Sequence, residues 1–138
     1  MKWFKMDEFK CHCCGKIGDP EAIEALVRDV LDPAREKLGA KVIVTSGYRC
    51  PKHNDYECPG ASKTSQHKRS EAADVKPAVD SGRTVKDLAK IIVENGRYDQ
   101  VIVYPTFVHV SWKRSGGNRK QILRKTANGY ERIDAKNI

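Results

Sequence analysis

Nowhere in the 138 residues does an apolar run approach the ~20 that a helix needs to cross a bilayer, so neither a membrane span nor a membrane partner is expected. The opening "MKWFKMDEFK" alternates charge with aromatics and holds none of the ~7 to 15 apolar residues of a secretory signal. Synthesis is therefore placed in the cytoplasm, and work at a cell surface would need another route of release. No internal repeat and no linker divides the chain, whose length suits one domain over 1–138. Its five cysteines are an odd number, and a chain without a signal meets a reducing cytosol, which removes a disulfide framework as the default. Aromatic residues are missing from 113 to 129, so the basic stretch "KRSGGNRKQILRK" lacks the stacking groups of a nucleic-acid groove. Nucleic acid is disfavoured as a partner.

What the chain has in excess is positive charge. With 26 Lys and Arg against 18 Asp and Glu the net charge is +8, which favours anionic partners, among them cell-wall polymers. The basic stretch reads either as a surface that follows such a polymer or as a solvated edge hairpin protected from strand pairing. Nothing in the pattern sets the oligomeric state.

The hydrophobic pattern orders the elements. In "DPEAIEALVRDVLDPAREKLG" apolar residues at 23, 26, 27, 30 and 31 predict a helix, with Asp19 as cap, Pro20 at its first position and Gly39 as its stop. Pro33 falls inside it and should kink or divide it. "KVIVTS" predicts a buried strand, and 47 to 66, rich in Gly, Pro, Ser, Asn and Asp, a long loop of the kind that is either functional or disordered. A short strand follows at "EAADVK". A second helix should start at Thr84, capped with Asp87, and end near Asn95 and Gly96. "DQVIVYP" and "FVHVSW" predict two strands, and "KQILRK" and "GYERI" a closing pair turned at Asn128 and Gly129. The expected class is α+β, a small, mostly antiparallel sheet flanked by two main helices.

Alternation along strands then sorts candidate chemistry. In "FVHVSW" the core takes Val108, Val110 and Trp112, so His109 faces the other way, into a cleft or solvent. In "EAADVK" Ala73 and Val75 point inward, and Asp74 points outward beside the small Ala72. His67 lies seven residues before Asp74, ~23 Å along a straight strand. The two can share one ion only if "KRSE" loops out between them; otherwise they are an unrelated surface pair. Two histidines and a carboxylate would leave a fourth zinc position for water, as catalytic zinc sites do.

In order and spacing, "SGYRCPKHN", "SQHKRSEAAD" and "FVHVSW" resemble the zinc D-Ala-D-Ala carboxypeptidase family, whose fold is shared with the hedgehog signalling domain. Ser65, His67, Ala72 and Asp74 match its S-x-H-x-x-G-x-A-x-D motif, and His109 its later strand histidine. The resemblance implies one zinc-peptidase-like domain with Zn2+ held by His67, Asp74 and His109, and a function in hydrolysing peptides of bacterial peptidoglycan, as a D-Ala-type carboxypeptidase or endopeptidase of a phage or prophage lysin. It implies that Arg49 faces the substrate, gripping its carboxylate or stabilising an oxyanion. Two departures stand out. Ser70 occupies the glycine position, where a positive φ would strain serine. No acid stands in the six residues before His109, where such proteins carry their general base, which leaves Tyr104 and Glu71 as candidates and a zinc-containing, non-catalytic binding module as the alternative.

The remaining cluster is "FKCHCCG". Cys11 and Cys14 have C-x-x-C spacing, and Cys50, His53 and Cys58 could complete a structural zinc site. The wide spacing of the second group favours free cysteines packed as small apolar residues instead.

Overall fold

In the computed structural model, residues 1–57 and 61–138 are described; Cys58 lies outside them. The first helix begins where the sequence places it. Asp19 accepts from the backbone N–H groups of Glu21 and Ala22, and Pro20 opens α1, Pro20–Leu26. The helix is then divided, as Pro33 demands: a π-helical turn, Val27–Leu31, leads into α2, Asp32–Leu38. Proline has no N–H to offer Asp29, four residues back, and Asn95 Nδ2 donates to that carbonyl at 3.2 Å. Gly39 ends α2 in the left-handed conformation. The other helix, α3, Val85–Asn95, starts with the expected Thr84–Asp87 capping box and stops at Gly96.

The strands β1 (Val42–Ser46), β2 (Ala72–Pro77), β3 (Gln100–Val103), β4 (Val108–Ser111), β5 (Gln121–Thr126) and β6 (Gly129–Arg132) form one sheet in the order β1-β2-β4-β3-β5-β6. Every neighbouring pair is antiparallel except β3 and β5. The class is α+β, as expected. That parallel junction was not expected, and it docks the closing hairpin beside β3. The hairpin turns one residue earlier than its Asn128-Gly129 signal implies, because Gly129 already pairs with Thr126.

Register assigns each face of the sheet. Ala73, Val110, Val101 and Ile122 align across four strands, and all are buried in the core with Leu26, Leu38, Leu88 and Ile92 of the helices. The row one residue over, Ser46, Asp74, His109, Ile102 and Leu123, must point to the opposite face. A register shift in β1 between Val44 and Ser46 brings Ser46 opposite Asp74.

The closing hairpin is tied down by an ion pair that the pattern did not reveal. Asp99 is fully buried, accepts from the Arg119 backbone N–H at 2.7 Å and from its Nη2 at 2.8 Å, and receives the Ser111 hydroxyl at 3.3 Å. Burial disfavours its charge, yet the Arg119 bonds hold its pKa below the ordinary carboxylate value. A carboxylate depressed by folding adds stability above its unfolded pKa, about 3.9, and loses it as the pH falls through the lower folded value. Stability measured by denaturant titration should therefore drop on acidification below about pH 4, and Asp99→Asn should be weaker at neutral pH with a flatter acid dependence.

Candidate active site

His67 and Asp74 do meet. Residues Gln66–Arg69 form a 3-10 turn, capped by Ser65 Oγ, which accepts from the His67 N–H at 3.2 Å. Ser70 then reverses the chain with φ of 60° and delivers it to β2. This is the left-handed backbone that glycine adopts freely. Serine replaces that freedom with a contact, since its Oγ accepts from the Asp19 N–H at 3.0 Å and ties the start of α1 to the turn. Asp74 and His109 are direct cross-strand partners on β2 and β4.

The three side chains converge on one point. His67 Nε2 lies 3.2 Å from His109 Nδ1 and 3.3 Å from Asp74 Oδ1, and His109 Nδ1 lies 3.1 Å from the same oxygen. Tetrahedral bonds of about 2.0–2.1 Å would set donor atoms about 3.3 Å apart, so the separations suit one zinc ion. The tautomer suits it too. His67 Nδ1 faces the Gly47 carbonyl at 2.8 Å, and since a carbonyl only accepts, Nδ1 carries the proton and Nε2 presents its lone pair. Burial pushes the His67 pKa down, which keeps the ring neutral. Burial also resists the charge on Asp74, but the two histidines outweigh it and hold its pKa well below the usual carboxylate range.

Gly47 has a reason of its own. A Cβ there would come within 2.6 Å of the Phe9 backbone, so only glycine lets this strand end press against the amino-terminal segment while aiming its carbonyl at His67. A backbone carbonyl leaves no side-chain signal, so this partner of His67 is not legible in the sequence.

Arg49 stands at the edge of the trio. Its Nη2 donates to Asp74 Oδ2 at 2.9 Å and its Nε to Ser46 Oγ at 3.0 Å, so part of the guanidinium holds the carboxylate while the side chain also lines the cavity. That cavity, about 890 Å³, opens over the outer face of the sheet, with Ile102 and Leu123 from the same row as Asp74 and His109, and Lys113, Arg119 and Lys125 from the closing segment. The basic stretch thus contributes to the site itself as well as to the surface.

The two candidate bases fall in different places. Tyr104 lines the cavity, stacked on Phe107 at 4.2 Å between ring centres, with its hydroxyl 3.0 Å from that of Tyr130. Burial and the Tyr130 contact push its pKa up, so the phenol keeps its proton. Glu71 turns to Arg69 at 3.1 Å and to Gln66, and is not among the cavity-lining residues. Among the described residues lining the cavity, Asp74 is the one carboxylate.

Residues 2–111 match the family profile of Peptidase M15. The chain belongs to the peptidase M15 family, the zinc D-Ala-D-Ala carboxypeptidase family. Membership makes it a metallopeptidase with peptide substrates, and the family is zinc-dependent. None of the curated proteins compared with the chain matches it. The match ends at β4, so the hairpin that supplies Leu123, Lys125 and Tyr130 to the cavity lies beyond the matched segment.

Proposed function

We propose that the chain hydrolyses peptide bonds beside D-alanine in bacterial peptidoglycan, with Zn2+ held by His67, Asp74 and His109. The observation that carries this reading is the convergence of those three donors in a cationic cavity. The chemistry that zinc supplies when bound is Lewis acidity, which polarises a carbonyl and acidifies water. The chain does the rest. The Gly47 carbonyl fixes His67, and Arg49 fixes Asp74 while lining the cavity, where its guanidinium could also meet a substrate carboxylate or oxyanion. Tyr104, protonated at working pH, donates a hydrogen bond to the bound peptide rather than acting as a base. Lys113 and Lys125 draw in an anionic peptide, and the same charge suits a site of action in the cell wall.

One observation favours a second reading, a zinc-containing module that binds wall peptides without cutting them: apart from Asp74, no carboxylate lines the cavity among the described residues. Mass spectrometry of muropeptides separates the two. Loss of a terminal alanine from pentapeptides marks a carboxypeptidase, and conversion of cross-linked dimers to monomers an endopeptidase. Binding to purified peptidoglycan with no mass change over hours would establish the module and sink the peptidase.

A further inference from the structure

The amino-terminal cysteines do not pack as scattered apolar residues. Sulfur atoms of Cys11, Cys14 and Cys50 all lie within 4.8 Å of one another, although Cys50 is 36 residues from Cys14. Around them the backbone is arranged for thiolates. Cys50 N–H donates to Cys11 Sγ at 3.3 Å, and His53 N–H to Cys50 Sγ at 3.4 Å. The amides of Cys13 and Cys14 also face Cys11 Sγ, and that of Lys16 faces Cys14 Sγ. Gly15, with φ of 73°, turns the chain so that its own N–H returns to the Cys11 carbonyl at 2.8 Å. A C-x-x-C-G turn whose amides point at its own sulfurs is a preformed half-site for a tetrahedral metal.

We propose that Cys11, Cys14 and Cys50 bind a second, structural metal ion of thiophilic character, zinc first among them. Zinc–sulfur bonds of about 2.3 Å place sulfurs about 3.8 Å apart in a tetrahedron, within the spread seen here, and soft thiolates select such ions. Each thiol gives up its proton on binding, and the fourth position is open to solvent or to a neighbouring side chain. A disulfide is the competing use of the cluster. It would join two sulfurs and leave the third, and its amide donors, without a partner.

The position gives the ion a task. Cys50 follows Arg49 directly, Tyr48 N–H donates to the Phe9 carbonyl at 2.8 Å, and Arg49 N–H to the His67 carbonyl at 3.0 Å. Metal at the cysteines would rivet residues 9–14 to the segment 47–50, which carries both the Gly47 carbonyl and Arg49 to the active site.

The test uses cobalt, because thiolate ligands give Co(II) an intense near-ultraviolet charge-transfer band that histidine and carboxylate ligands do not. The His67→Ala/His109→Ala protein, purified under reducing conditions and loaded with Co(II), should keep that band and bind one ion per chain. The full chain should bind two, and Cys14→Ser should lose the band and one ion. Because the first variant lacks the histidine site, this result stands whatever becomes of the peptidase reading. Absence of the band from the reduced full chain, or a disulfide among these three cysteines in protein kept reduced, would overturn the proposal.

Discussion

His67→Ala should reduce peptide hydrolysis by roughly 10³-fold or more, because water without a metal keeps a pKa near 15.7 instead of one near 7. The residue is the most buried of the three proposed ligands, at 2% exposure, and its two ring nitrogens are both committed, one to Gly47 and one to the converging donors. Alanine removes a donor and strands the Gly47 carbonyl. The loss should therefore appear in kcat, and zinc content should fall by one ion. Chelator should bring the unmodified protein to the same residual rate and should do nothing further to His67→Ala. A variant that folds, binds less zinc and still cuts would remove His67 from the chemistry.

Arg49→Lys should cost about 10²-fold in kcat/KM, in the range found when one donor to a developing oxyanion is lost. The substitution keeps the charge, so a purely electrostatic role predicts a small effect. The geometry predicts a larger one: Arg49 reaches Ser46 and Asp74 together from one planar group, and a lysine ammonium cannot span both and still face substrate. The split of kinetic constants identifies its task. A rise in KM alone marks a grip on the substrate carboxylate, and a fall in kcat marks stabilisation of the transition state. Zinc content should not change, because Arg49 donates no metal ligand. Full activity in Arg49→Lys would limit the residue to holding Asp74.

The residues that meet across the sheet were legible because strand alternation is rigid. Once Val108 and Val110 are core, His109 can only face away from it, and the same parity places Asp74. Helix boundaries were legible where caps are chemical, at Asp19, Thr84 and Gly96. The meeting of His67 with Asp74 needed the family motif, since nothing in "KRSE" by itself announces that Ser70 will adopt a positive φ. Long-range pairings left the least trace. The parallel docking of β5 on β3, and the Asp99–Arg119 bond that accompanies it, join segments about 20 residues apart. So the basic stretch read as surface, while Lys113, Arg119 and Lys125 line the cavity. The described cysteines are free, as read, but their grouping left no trace in the spacing, because the fold closes the distance between Cys14 and Cys50.

The most direct measurement is release of free amino groups from purified peptidoglycan by metal-stripped protein titrated with zinc, run beside His109→Ala. Release should climb with added zinc in the full chain and stay at background in the variant at every zinc level. Stripped protein that cuts as fast as loaded protein, or loaded protein that releases no more than His109→Ala, would contradict a zinc-dependent peptidase built on His67, Asp74 and His109.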